Sequence, residues 1–407
     1  MNITNSSSFH SCTSCGVCAT VCNRRAITIK LGKEGFYRPV IDESLCNDCG
    51  LCTSVCYKFD KELLMTSPEG LIEKPLYSAW SNDDELIKQT TSGGIGDLLA
   101  RQLMKYGYKV VGVVYNENKT RAEHKIARDE DDLCGFRGSK YIQSYTFDAF
   151  VEVVANCRND RYAVFGTPCQ IYALNKLVTK RKASDNFFFV DLYCHGCPSL
   201  HAWTKYQADI KKKLSIDRFD SVSFRSKKKG WGGVYITNFF AKGKSVYVGK
   251  KANDKFYELF FSDQVLNEAC YDCKLRSTLE YTDIRLGDFW GHKFLKNQRG
   301  VSAISLATPM GREVFSKIES SITCSPCSYN EFLPYQSWHL SYQMESENRK
   351  AILATLADSQ LGIDDAIREL EKRQGVKKNI IRLIKTILAV FPLGLTNSIK
   401  RILYRIR

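Results

Sequence analysis

No stretch of this 407-residue chain approaches the ~18–20 consecutive apolar residues that a helix needs to cross a bilayer, so no transmembrane helix is expected. Met1 to His10 is polar and lacks the charged-then-apolar build of a secretory signal. Acidic residues are missing altogether from Lys372 to Arg407, where ten Lys or Arg residues stand. The net charge is +15, so two thirds of the excess lies in that last segment. A nucleic-acid-binding surface spread over a fold would not concentrate charge in this way. The basic run from Arg225 to Lys229 matches no nucleic-acid motif and reads as a solvated charged face, so no nucleic-acid partner is expected.

What the chain has instead is cysteine, seventeen of them. With no export route expected, the default reading is reduced thiolates that bind metal, in a cytoplasmic protein. Cys12, Cys15, Cys18 and Cys22 recur 34 positions later as Cys46, Cys49, Cys52 and Cys56, and both copies read C-x-x-C-G-[VL]-C-x-x-V-C. This is the bacterial ferredoxin run C-x2-C-x2-C-x3-C, twice. Three cysteines on one tight loop supply three corners of a cubane, and the fourth, on the helix that follows, reaches the other cluster. One 4Fe–4S cluster is therefore expected on Cys12, Cys15, Cys18 and Cys56, and a second on Cys46, Cys49, Cys52 and Cys22. The proline that usually follows the fourth cysteine is replaced by Asn23 and Tyr57. Paired zinc sites would want four cysteines per site rather than two runs at this spacing. Ala26 to Lys30 and Phe36 to Ile41 read as short strands, in a unit too poor in large apolar residues for an ordinary core.

After a linker with Pro68, Gly70 and Pro75, strands alternate with helices: helix 95–106, strand 109–115, helix 147–156, strand 162–165, helix 170–179, strand 187–193. This pattern predicts an α/β domain with a mostly parallel sheet. Strands with Gly-rich turns follow over 222–248, and beyond Glu345 the chain reads as helical, with one amphipathic stretch over 351–373. Cys169 follows one predicted strand and Cys194 ends the next, where an α/β sheet presents residues to a ligand crevice. With the C-x-x-C of Cys270 and Cys273 they form a candidate third cubane. By spacing alone, buried small hydrophobes are an equal reading. Cys324 and Cys327 form a rival pair, and Cys134, Cys157 and Cys197 read as structural.

The words TSGGIGDLLA (91–100), FRGSKYIQS (136–144), FGTPCQIYAL (165–174), VDLYCHGCPS (190–199), CYDCKLR (270–276) and DIRLGDFWG (283–291) together resemble the coenzyme F420 hydrogenase/dehydrogenase beta-subunit family. The resemblance implies an FAD-binding domain with a further 4Fe–4S cluster beside the flavin, and it favours Cys169, Cys194, Cys270 and Cys273 as the ligands. The expected fold is thus α/β. A two-cluster ferredoxin-like α+β domain over 1–66 precedes a mixed α/β flavin domain whose halves are 75–155 and 156–330. A helical segment over 340–374 and a basic amphipathic tail over 375–407 complete the chain. Ser92, Gly93 and Gly94 precede a helix whose free amides and dipole suit a pyrophosphate. Lys140, Gly166, Thr167 and Asp288 complete the expected flavin contacts, with Lys140 and His195 as the catalytic candidates.

A cubane passes one electron at a time, whereas most organic reductions need two and a proton, and a flavin converts between them. The expectation is an oxidoreductase taking electrons from a ferredoxin-like donor or partner redox subunit to reduce a small organic substrate. The rival is a non-catalytic subunit that relays electrons to a partner enzyme. The tail, with Ile380, Ile384, Ile387 and Phe391 on one face among basic residues, suggests peripheral contact with the anionic inner face of a membrane.

Overall fold

The structure, a computed structural model, describes residues 1–375 apart from 6, 232–234, 250–253, 292, 295 and 339–340. The expected membrane tail, past its first residue Gly375, lies outside the described residues. Among the described residues no helix is long and apolar enough to cross a membrane.

The first sixty residues are built on the repeat. Each run wraps a loop and enters a one-turn helix, Val17–Thr20 and Leu51–Ser54, and between them strands Ile27–Leu31 and Tyr37–Ile41 pair antiparallel. Gly16 and Gly50 precede the two helices at φ 78°, a left-handed backbone that only glycine adopts freely. The repeated C-G-[VL]-C therefore encodes the turn as well as the ligands. The shortage of apolar residues is met by sharing a core: Val17, Val21, Ile27, Val55 and Tyr57 pack in one cluster with Phe150, Val153, Ile171 and Leu174 of the larger unit.

That larger unit is a nine-stranded sheet. In spatial order its strands are Ile322–Pro326, Leu76–Ser81, Ser302–Leu306, Ile284–Asp288, Phe187–Leu192, Tyr162–Phe165, Lys109–Asn116, Arg121–Ile126 and Ser144–Tyr145. The four strands from Ile284–Asp288 to Lys109–Asn116 run parallel, and antiparallel neighbours flank them on both sides. The sheet is thus mixed rather than mostly parallel, because 109–126 and 284–306 return by direct reversal without a crossover helix. Helices Ile95–Lys105, Phe147–Asn156 and Pro168–Lys180 lie where the 3.6-residue pattern placed them. The Gly-rich region forms a separate three-stranded sheet of Ser221–Ser223, Asn238–Ala241 and Lys244–Val248.

Two segments differ from the reading of the sequence. The proline-containing linker holds a short helix, Pro68–Ile72, capped by Ser67 and burying Leu71. The amphipathic stretch is two helices, Ser346–Ala357 and Ile363–Arg373. Between them Asp358 turns the chain by accepting from the Gln360 amide at 2.8 Å, and Asp365 accepts from the Gly362 amide at 2.7 Å. Local side-chain acceptors of this kind compete with helix continuation.

Candidate functional site

The ferredoxin-pattern cysteines separate into two quartets. Cys12, Cys15, Cys18 and Cys56 line one cavity of about 280 Å³, and Cys22, Cys46, Cys49 and Cys52 line a second of about 20 Å³. The fourth cysteine of each run has crossed to the other's group, because each one-turn helix carries it away from its own loop. Burial, together with the nearby Cys56 and Cys12, pushes the Cys15 thiol up to about 12. Cys56 is likewise pushed up to about 12 by burial and by Cys12. Cys52 is raised by burial, with Cys22 adding to it. Buried thiols of this kind are poor thiolates alone and need a cationic centre to hold them ionised. Among the described residues, no three His, Cys, Asp or Glu side chains stand as close as a single metal ion requires. The thiols are instead spread around a volume, and each quartet supplies the four thiol donors that an iron–sulfur cubane takes.

A third group gathers at the carboxyl ends of the parallel strands. Cys169 opens helix Pro168–Lys180 after strand Tyr162–Phe165, and Cys194 follows strand Phe187–Leu192. The Cys169 thiol is raised by burial and by Cys15, Cys273 and Cys194; Cys270 is raised by burial and by Cys197, Cys194 and Cys273. Cys194 is pushed up to about 11 by burial. Cys197, read from sequence as structural, belongs to the same group: burial raises it, beside Cys194, Cys169 and the Gln143 amide. The C-H-G-C spacing was the available signal. Arg276 ties the loops together, donating to the carbonyls of Cys194 at 3.0 Å, His195 at 2.6 Å and Cys270 at 2.5 Å. Cys324 and Cys327 pack into different cores on opposite sides of an edge strand and cannot act as a pair here. His195 is held by Asp263 and the Tyr342 hydroxyl, both at 2.9 Å.

The expected flavin residues lie along the same sheet edge. Asp288 ends strand Ile284–Asp288 opposite Ser302, whose hydroxyl accepts from the Gly93 amide at 3.0 Å. The loop of Gly138, Ser139 and Lys140 meets this turn where the Ser139 amide donates to Thr91 Oγ1 at 2.7 Å. A Cβ on Gly93 would stand 2.4 Å from the Ala79 carbonyl oxygen, so the close approach requires glycine. Several of these groups have internal partners. Ser92 donates to the Val301 carbonyl at 2.6 Å. Lys140 Nζ donates to the carbonyls of Gly135, Phe136 and Arg137 at 3.0–3.1 Å. Burial pulls the Lys140 ammonium down to about 7, while those three acceptors favour its charged form. Thr167 and Gln170 cap helix Pro168–Lys180 reciprocally, and Gly166 donates to the Val190 carbonyl at 3.1 Å. Asp288 pairs with Arg225 through Oδ2, whereas its Oδ1 is buried and accepts no hydrogen bond among the described residues.

Sequence reasoning missed Arg225 and Lys227. Arg225 is 4% exposed, between the rings of Tyr235 and Trp290 with Tyr141 beside it. Lys227 Nζ reaches the carbonyls of Ile87 at 2.6 Å and Ser92 at 2.7 Å, and burial pulls its pKa down to about 7. The solvated-face reading of this run is thereby overturned at both positions. Phe224 and Arg225 are both buried in the bend after strand Ser221–Ser223, so strand alternation gave no signal for the arginine.

Comparison with known proteins follows these parts. The family model described as coenzyme F420 hydrogenase/dehydrogenase, beta subunit N-term, matches residues 76–150, and its C-terminus partner matches 159–329. A 4Fe-4S dicluster domain matches 11–58. Coenzyme F420 hydrogenase subunit beta from Methanococcus voltae is 22% identical over 250 residues, spanning 58% of this chain and 82% of that protein. A solved structure of the F420-reducing [NiFe] hydrogenase complex from Methanosarcina barkeri, derivatised with xenon, aligns at 18% identity with a TM-score of 0.47. It covers 77% of this chain and 97% of the matched one.

Proposed function

The chain belongs to the coenzyme F420 hydrogenase/dehydrogenase beta-subunit family, and on that premise we propose an iron–sulfur flavoprotein that reduces a small organic acceptor. The family and the dicluster domain make it an iron–sulfur redox subunit of the oxidoreductase class. The observation that carries the finer reading is the chain of three cysteine groups, the last of them at the carboxyl ends of the parallel strands. Cys12, Cys15, Cys18 and Cys56 hold one 4Fe–4S cluster, Cys22, Cys46, Cys49 and Cys52 a second, and Cys169, Cys194, Cys270 and Cys273 a third, with Cys197 as a fifth thiol at hand. One FAD at the sheet edge supplies the exchange between one-electron and two-electron chemistry.

The chain's own residues bind and orient. The turn Ser92–Gly93–Gly94 leads into helix Ile95–Lys105, whose N-terminal dipole favours an anion. Asp288 Oδ1, buried without a partner among the described residues, suits an N–H donor of a ring system. Arg225 and Lys227 place positive charge beside it. Electrons arrive from a ferredoxin-like protein or a partner redox subunit, and the substrate is of the deazaflavin class or a similar planar acceptor.

Anaerobic purification with iron, sulfide and flavin analysis tests this reading. About twelve irons, twelve labile sulfides and one FAD per chain are expected. Eight irons, unchanged when Cys270 and Cys273 become Ser, would remove the third cluster. Iron-loaded protein that neither retains nor binds FAD or FMN would leave a second reading, an electron-relay subunit. The internal partners already held by Gly93, Lys140 and Thr167 favour that reading. Turnover of a deazaflavin that vanishes when flavin is stripped would exclude it.

A further inference from the structure

The three cysteine groups stand in a fixed order. Cys15 lies close enough to Cys169 to act on its thiol, and Ala173, one turn along the helix that Cys169 opens, lines the larger cavity with Cys12, Cys15, Cys18 and Cys56. Tyr57, directly after Cys56, accepts from the amide that follows Cys273. The Cys12 quartet is therefore the inner one. The Cys22 quartet joins it through Cys52 and Cys18.

This outer quartet is also the one that reaches the surface. Cys49 is exposed, unlike the other eleven proposed ligands. Leu45 and Leu51 flank it, 42% and 37% exposed, and Met1 is 55% exposed with its amino group 3.1 Å from the Asp48 carbonyl oxygen. Arg24, Arg25, Asp42, Glu43 and Asp48 surround them with both signs of charge. An electron carried on another protein's surface therefore meets this quartet first.

We propose that the face around Cys49, with Leu45 and Leu51 as its apolar centre, is the docking port for an iron–sulfur electron-transfer protein. Resting on the reading above, the step is one electron leaving the partner's reduced cluster for the cluster on Cys22, Cys46, Cys49 and Cys52; no bond or proton moves. A small apolar centre inside a mixed-charge rim suits the compact, transient contacts of redox partners, below about 1,200 Å². The electron then passes inward to the Cys12 quartet and on to the sheet edge.

The test uses the full chain loaded with its clusters and a bacterial two-cluster ferredoxin carrying a fluorescent label. Leu45→Glu with Leu51→Glu is expected to weaken ferredoxin binding, read by anisotropy, at least tenfold. It should slow reduction by that ferredoxin equally, while iron content and reduction by methyl viologen stay at wild-type level. Ile72→Glu, at a site 67% exposed and outside the port, should change none of these. Wild-type protein that does not bind the ferredoxin, or a double variant that binds it as wild type does, overturns the port. Loss of iron from wild-type protein would instead overturn the cluster reading on which the port rests.

Discussion

The backbone amide of Lys274 donates to the Tyr57 hydroxyl at 3.1 Å, joining the residue after Cys273 to the residue after Cys56. Tyr57 stands where the ferredoxin run usually has proline, stacks on His10 at 4.1 Å, and meets Tyr172 edge-on. Tyr57→Phe keeps the ring contacts and removes the acceptor. We expect a loss of about 1 kcal/mol in anaerobic urea unfolding with cluster content unchanged. Tyr57→Pro should cost more, since it removes the packing as well.

The exchange of fourth cysteines has a chemical readout. In Cys22→Ser, alkylation should label Cys46, Cys49 and Cys52 while Cys12, Cys15 and Cys18 stay protected. Cys56→Ser should give the reverse pattern. Labelling confined to each variant's own run would contradict the crossed quartets.

Arg285 and Asp191 form a bidentate pair inside the sheet, with Nε–Oδ1 at 2.7 Å and Nη2–Oδ2 at 2.6 Å. Arg285 also donates to the carbonyls of Arg276 at 2.8 Å and Leu275 at 3.2 Å, holding the turn after Cys273. Asp191→Asn leaves a buried guanidinium without its counter-charge and should cost about 3–5 kcal/mol. The double variant Asp191→Leu with Arg285→Leu should cost less than the sum of the single changes. Both should lower iron content at the third site selectively, as the turn loosens.

His124 is 1% exposed, faces the Phe165 carbonyl at 3.2 Å through Nε2, and is pulled down by burial to about 4. The unfolded chain takes up this proton near 6.5, the folded chain only near 4. Its contribution is fully present above pH 6.5 and is lost as pH falls from 6.5 to about 4, a swing of about 3 kcal/mol. Unfolding curves of wild type and His124→Gln should therefore converge or cross on acidification across that window. Parallel curves would show that His124 titrates normally.

The eight repeat cysteines and their turns were legible in the sequence because a cubane needs its ligands and glycines at fixed local spacing, and Gly16 and Gly50 adopt the turn that the motif implies. The helices and strands of the parallel centre were legible for the same reason: periodicity reports which face is buried. The third group was only partly legible. Cys169, Cys194, Cys197, Cys270 and Cys273 span over a hundred positions, and only the sheet's strand order brings them together. Arg225 and Lys227 were misread because charge in a sequence does not say which way a side chain turns; an aromatic frame holds Arg225 inward, and the carbonyls of Ile87 and Ser92 hold Lys227. The sequence by itself determined which residues could be ligands. Tertiary structure decided which of them meet, since long-range contacts are set by packing between elements rather than by spacing within them.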